Sequence, residues 1–400
     1  MDLNHRPSGY EPDELPDCST PRWLRRDCAA THWSPACEVA AQGLNGSEGV
    51  KVAVVLPKIH LHCHLEGSLR AETFLELAAK HGVATTYRPR AGEAFEGAGQ
   101  PEHPGDVYRF ATFGEFLLTF AAVSRSLKDP EDYGRLAAEF AQDALAQDVA
   151  YGELFVSPSV WQFFHPEIDV RACVDAIRSA FDDATRGTGV LFQLIVDLTR
   201  NFGAEAGLRT ARLAAGLTDF GVIGIGLGGD EAKYPAELFS DAFAYARAEG
   251  LHCVAHAGEA AGPESVRAAI EYLRVERIGH GVRALEDRNV LDLLAHRGIP
   301  LEVCPTSNFL TGVASRERPH PILELDAAGC VVTVDADDPT LFRTSISDEY
   351  AYVASLAGEA TLARFVGNAI DASFAEEPRK LRLRERLVRA RAELSGLQGK

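Results

Sequence analysis

The run PKIHLHCH places His62 and His64 two residues apart. On a strand, residues at that spacing point to the same face. Two imidazoles facing one way are placed to chelate one cation. Neutral imidazole suits zinc best among the abundant metals, and one further His plus an Asp completes a mixed nitrogen and oxygen set. His256, in HAGE, and Asp337, in DADDP, supply those donors. Such an ion would lower the pKa of a bound water from near 16 to about 7, making hydroxide available at neutral pH. His280, in RIGHG, is a fourth imidazole, read as orienting the water rather than ligating the metal. Glu259 follows His256 closely, and a carboxyl at the mouth of a dry pocket can keep its proton and act as an acid. Asp338 cannot share the direction of its neighbour Asp337, which suits it to hydrogen-bond substrate or water. His60 lies on the same strand face one step deeper and is read as structural.

These residues need elements to hold them. From Lys51 onward, short apolar runs alternate with amphipathic stretches of helical length. The runs cover 52–63, 149–157, 190–198, 222–227, 252–257, 277–281, 299–304 and 331–336. Helix candidates at 235–250, 265–276 and 289–298 lie between them, the first and third ending in Gly. Eight strands alternating with helices predict an α/β fold, a (β/α)8 TIM barrel. The first and second strands are far apart in sequence, and extra helices inserted after strand 1 are expected over the barrel mouth. Residues 85–106, rich in Gly, Pro and Arg, are expected to be a loop. The segment 356–397 reads as strongly charged helices, either packing against the barrel or solvated on its surface. In such a barrel the active site lies at the C-terminal ends of the strands. His62 and His64 end the first strand, His256 and Glu259 the fifth, His280 the sixth, and Asp337 and Asp338 the eighth. That independent convergence is the main argument for a site. IGLGGDE ends the fourth strand, where glycines let a flat ligand approach the backbone. CPTSNFLTG follows the seventh, its small polar groups serving as loop caps or ligand contacts. Phe113, Phe116 and Phe120 form a stripe at helical spacing, suited to core or to a lid.

The formal net charge of −18 over 400 residues disfavours nucleic acid and anionic membrane as partners. No apolar run is long enough to span a membrane. The composition is that of a soluble cytoplasmic enzyme acting on a small molecule, with no signal for oligomeric state. The eight cysteines include no C-x-x-C and read as buried reduced thiols from Cys63 onward. Residues 1–49, rich in Pro, Asp and Arg, lack any period and read as a disordered or misassigned N-terminal extension. Residues 50–400 then form a single barrel domain.

In combination the segments PKIHLHCHLEGSL, GLGGDE, HAGE, RIGHG, CPTSN and DADDP closely resemble the adenosine deaminase family, in its order and similar spacing, over roughly residues 52–370. The resemblance implies a metal-dependent barrel that hydrolyses the amino group from a purine and releases ammonia. It implies one zinc ion on His62, His64, His256 and Asp337, with Glu259 protonating the purine ring. It implies that His280 positions the water, that Asp338 contacts water and purine, and that the Gly229 N–H binds the base. His64 borders the substrate as well, and Phe116, Leu117 and Phe120 match apolar lid residues. Two positions depart from the animal enzymes. Glu66 stands where they have an Asp that contacts the sugar's terminal hydroxyl. Gly226-Leu227-Gly228-Gly229 replaces Asp-Leu-Ala-Gly, and the smaller Gly226 and Gly228 are expected to leave room for a bulkier substrate. The expected substrate is an adenosine-type nucleoside: adenosine, deoxyadenosine or aminodeoxyfutalosine. Adenine and methylthioadenosine are the alternatives. Other amidohydrolases usually need a carbamylated Lys on strand four, which VIGIGL lacks. Cytidine-type deaminases carry H-x-E with P-C-x-x-C, which is absent. A non-catalytic binding barrel would be expected to have lost a ligand or the acid, and none is lost.

Overall fold

The computed structural model describes residues 55–87, 97–98, 104–110 and 113–398. The N-terminal extension, its three cysteines and the first residues of the predicted first strand lie outside that set.

Eight parallel strands follow one another around a single sheet in chain order. They are β1 (Lys58–His64), β2 (Val149–Val156), β3 (Leu191–Thr199), β4 (Val222–Gly228), β5 (His252–Ala257), β6 (Arg277–His280), β7 (Leu301–Val303) and β8 (Val332–Val334). All eight coincide with the apolar runs. Strands of a parallel barrel are covered on both faces, so they read as continuous hydrophobic runs. VAYGELFV in β2, for instance, is buried throughout. Inside the barrel, Phe155, Ile195 and Val254 pack together, with Ile223 and Phe374 against them.

The barrel closes where β8 returns to β1, and closure here uses few bonds. Beyond the end of β8, Cys63 bridges Asp337. The His64 N–H donates to the Asp337 carbonyl at 2.9 Å, and the Asp337 N–H donates to the His62 carbonyl at 3.0 Å. Deeper in the seam a side chain replaces backbone. Asp335 Oδ1 accepts from the Leu61 N–H at 2.6 Å and the His62 N–H at 3.0 Å. Its Oδ2 accepts from Thr333 Oγ1 at 2.8 Å. Burial, with help from Glu302, pushes the Asp335 carboxyl up to about 7. His60 is buried in the same seam, accepting from the Ala336 N–H at 3.3 Å, and burial holds it neutral. That is the structural role expected of it. All five described cysteines are free and buried.

The inserted helices are α1 (Ala71–His81), α2 (Phe113–Ser126) and α3 (Pro130–Ala146). α1 stops at Gly82, whose φ of 68° is the left-handed cap that glycine takes without strain. α3 starts with a capping box between Asp129 and Asp132 and with Pro130 in its first turn. The predicted loop at 85–106 contains a small antiparallel pair, Thr86–Tyr87 with Gly97–Ala98, and a 3-10 turn at Pro104–Asp106. Pairs of two residues leave no sequence period to read. The helix expected at 265–276 is Pro263–Ala268 followed by a π-helical turn, Ala269–Leu273. In the C-terminal tail the packing alternative holds for Glu359–Ala372. This helix buries Leu362, Phe365, Val366 and Ile370 and packs on β8 and β1, backing the closure seam.

Removing the Asp335 carboxyl strands two buried N–H groups, each worth about 1–3 kcal/mol. Asp335→Ala is therefore expected to lower unfolding free energy by about 3 kcal/mol in denaturant melts. Asp335→Asn, which keeps one acceptor for both N–H groups, should lose clearly less.

Candidate active site

The cluster at the C-terminal mouth forms because β1, β5 and β6 carry histidines at their ends and the chain just past β8 carries Asp337. One atom each from His62, His256, His280 and Asp337 lie within 4.8 Å of one another. His64 adjoins this group: its Nε2 is 3.2 Å from His256 Nε2 and 3.4 Å from Asp337 Oδ1. Five donors thus converge where the sequence indicated four ligands and a water-orienting His. His280 and Asp337 both take left-handed backbone, with φ of 63° and 65°. Such conformations cost free energy in non-glycine residues and are found where the surroundings over-determine them.

Hydrogen bonds decide which imidazole nitrogens are free to ligate. His62 Nδ1 bonds Glu302 Oε2 at 2.8 Å, leaving Nε2 buried without a partner. His256 Nδ1 is 3.2 Å from the Leu227 carbonyl, which can only accept, so Nδ1 carries the proton and Nε2 a lone pair. His280 is the opposite case. The Ile322 N–H donates to His320 Nδ1, so His320 donates through Nε2 to Asn308 Oδ1. The Asn308 amide must then donate to His280 Nδ1, at 3.1 Å. The His280 proton is left on Nε2, which faces Glu259 Oε2 at 3.5 Å and Asp337 Oδ2 at 3.9 Å. An N–H there donates a hydrogen bond and offers a metal nothing. Burial pushes His62, His64 and His256 below the usual imidazole range, so they are neutral, as ligation requires. Burial would depress His280 too, but the Glu259 and Asp337 carboxylates raise it. Burial opposes ionisation of Asp337, yet His280, His62 and His64 hold it below the usual range. The buried Nε2 of His62, the neutral imidazoles and the ionised Asp337 fit a divalent cation.

A line of alternating charge supports this cluster from below. Glu302 bonds His62 with one oxygen and the Arg277 Nε with the other. Arg277 Nη2 meets Glu153 Oε2 at 2.6 Å, and both are buried. The Arg277 guanidinium lies 3.8 Å from the centre of the Phe374 ring. Sequence reading missed Glu302 and Arg277. Their signal, charges inside apolar strands, becomes meaningful only when the two strands are neighbours.

Glu259 is held by its loop. Glu231 accepts four backbone N–H bonds, from Gly258 at 2.5 Å, Glu259 at 3.1 Å, Ala260 at 2.7 Å and Ala261 at 2.9 Å. Arg200 adds bonds to the carbonyls of Tyr234 and His256, both at 2.8 Å. Burial pushes the Glu259 carboxyl up to about 7, with His280 pulling the other way. Asp338 is buried and bonded to nothing through Oδ1, and burial, with the Asp337 charge, pushes its carboxyl above the usual carboxylate range. Gly67 has no side chain because that carboxyl occupies the space: a Cβ would lie 1.9 Å from Asp338 Oδ1.

The remaining expected residues are placed as follows. Glu66 is buried on the 3-10 turn after β1, with Oε1 accepting from the Ser157 N–H at 2.9 Å and Trp161 Nε1 at 2.7 Å. Its Oε2 has no partner. Gly229 has φ 98° beside Asn201, whose Oδ1 holds the Asp230 N–H at 3.0 Å. Phe116 is buried against Phe342, ring centres 4.7 Å apart, and Phe120 is 6.2 Å from Phe116. Phe342 caps the Asp338 turn, so α2 rests through Phe116 on the loop that carries Asp337 and Asp338. The room expected at Gly226 and Gly228 is not free. Asp197 fills it: Cβ atoms there would each lie 2.6 Å from one of its carboxyl oxygens. Sequence reading missed Asp197 because it lies within the apolar run of β3.

A parallel barrel with a His and Asp cluster at its strand ends is the architecture of the amidohydrolase superfamily. A family model described as adenosine deaminase matches residues 57–390, and the chain belongs to that family. An aminodeoxyfutalosine deaminase from Streptomyces coelicolor is 38% identical over 83% of this chain and 84% of its own. An adenine deaminase from Chelativorans sp. is 36% identical over 83% and 98%. An amidohydrolase from Burkholderia ambifaria, solved with bound Zn, superposes with a TM-score of 0.77 at 27% identity, covering 88% of this chain and 95% of that one. No helix among the described residues is long and apolar enough to cross a membrane.

Residues that orient a ligating His typically contribute 10- to 100-fold in metal affinity. Glu302→Gln is expected to weaken metal binding by about that factor in competition with a chelator. Unchanged affinity would remove Glu302 from that role.

Proposed function

We propose that this chain hydrolyses the exocyclic amino group of an adenosine-type nucleoside, giving the oxo-purine and ammonia. The observation that carries the proposal is a buried acid, Glu259, its carboxyl pushed up to about 7, facing His280 Nε2 at 3.5 Å beside a cluster of neutral imidazoles. Acid, donor and cation site are what addition of water to an amidine carbon requires.

His62, His64 and His256, each through Nε2, and Asp337 would hold the ion, and that nitrogen and oxygen set favours zinc. When bound, the ion supplies Lewis acidity that makes water nucleophilic near neutral pH. The residues do the rest. The Gly229 N–H fixes the base, and Asp338 contacts its imidazole nitrogen. His280 donates through Nε2 to the water oxygen and sets its direction. As that oxygen adds to the amino-bearing carbon, Glu259 passes its proton to the adjacent ring nitrogen. The water gives up two protons in all: one restores Glu259 and the other leaves with the amine as ammonia. Phe116 and Phe120 close the mouth against bulk water. Glu66 borders the sugar. Relatives named adenine deaminase support a second reading, in which the free base is the substrate.

Glu259→Gln keeps the shape and loses the proton. It is expected to bind substrate while kcat falls about 10²–10⁴-fold. Removing metal with a chelator should abolish turnover, and zinc should restore it. Ammonia release would be followed with adenosine, deoxyadenosine, aminodeoxyfutalosine, methylthioadenosine and adenine. Activity on none of them would defeat the purine reading.

A further inference from the structure

The residues that would hold the ion and move the protons come from the ends of β1, β5, β6 and β8. Two buried carboxyls take part in no bond-making step: Asp197 on β3, and Glu66 on the turn after β1, where it bonds Ser157 and Trp161 beyond β2. Ile195 packs inside the barrel against Phe155 and Val254. Asp197 is two residues on, so it points to the same interior side, nearer the mouth. Its carboxyl lies across β4, over Gly226 and Gly228. The Phe155 ring lies beside the same position, with its nearest carbon 2.7 Å from a Cβ on Gly226. That ring stacks on His64, centres 5.1 Å apart, and meets His62 and His256 at 4.9 and 5.6 Å. Asp197 is thus one aromatic ring away from the imidazole cluster. It is only 5% exposed, and its Oδ1 has no partner. Glu66 is 1% exposed, and its Oε2 has none either. Burial raises both above the usual carboxylate range, and the Glu66 charge adds to the rise at Asp197. Buried polar atoms without partners are costly, so a pair at the mouth calls for a ligand that supplies the bonds.

We propose that Asp197, together with Glu66, binds the hydroxyl groups of the substrate's sugar, making Asp197 the residue that favours a nucleoside over a free purine base. The inference rests on the purine deaminase reading and names its substrate class. The count of groups selects the nucleoside. On the edge away from the reacting amine, a free base offers a single N–H, which satisfies one carboxyl and leaves the other stranded. A ribosyl group brings several hydroxyls, each able to donate and accept, so it can serve two carboxyls whether or not they are ionised. The glycines at 226 and 228 then accommodate the protein's own recognition group, where the sequence alone suggested space for a larger substrate.

The test compares the wild type, Asp197→Asn and Asp197→Ala on adenosine, 2′-deoxyadenosine, 5′-deoxyadenosine and adenine. Thermal melts check that each variant is folded, and the Asn variant keeps the side-chain volume. The wild type should prefer adenosine to adenine. In Asp197→Ala, kcat/KM for adenosine should fall about 10- to 100-fold, mainly through KM, the loss expected when a buried hydrogen-bond partner is removed. The value for adenine should change less than twofold, and one deoxy analogue should be insensitive to the substitution, identifying the hydroxyl. A wild type that prefers adenine, or a variant that loses equally on base and nucleosides, overturns the inference and leaves purine deamination standing. Absence of activity on every purine overturns the reading beneath it as well.

Discussion

The mouth of this barrel depends on how β8 meets β1. The two hydrogen bonds between Asp337 and the backbone of His62 and His64 close the sheet there. The same two bonds set the Asp337 carboxylate against two imidazoles. Closure of the fold and assembly of the donor cluster are one event. Asp335 makes it possible, because its carboxyl supplies acceptors to β1 where the ladder with β8 has run out. The left-handed backbone of Asp337 is then a consequence of geometry: the chain must turn inward as soon as the seam ends.

A second constraint is charge. Burying ionisable groups is costly unless each is paired, and this barrel buries many. The line from Glu153 through Arg277 and Glu302 to His62 pairs every member and ends on a ligand nitrogen. On the other side of the mouth, Ile322, His320 and Asn308 fix the tautomer of His280 by the same logic of obligatory donors and acceptors. These lines leave lone pairs on His62 and His256 and an N–H on His280. Among the buried polar atoms without a hydrogen-bond partner, those of His62, Glu66, Asp197 and Asp338 lie at the mouth, where ion and substrate would meet them.

Much of this was legible in the sequence. All eight strands were, because parallel barrel strands are apolar on both faces. The chemistry-bearing residues were legible because each ends such a run. What escaped reading depends on pairing between distant strands. Glu302 and Arg277 are unremarkable until β6 and β7 lie side by side. Asp197 is a lone acid in an apolar strand until its carboxyl is seen over two glycines of β4. Glu231 was visible within GLGGDE, but its partners, four N–H groups after β5, come together only in the fold.

X-ray absorption at the zinc edge, on protein purified with its metal, tests the central claim most directly. The account predicts one ion per chain with three imidazole nitrogens at about 2.0–2.1 Å, oxygen in the rest of its shell and no sulfur. A shell with sulfur at about 2.3 Å, which would draw in Cys63 between the two histidines, or an ion lacking imidazole ligands, would contradict it.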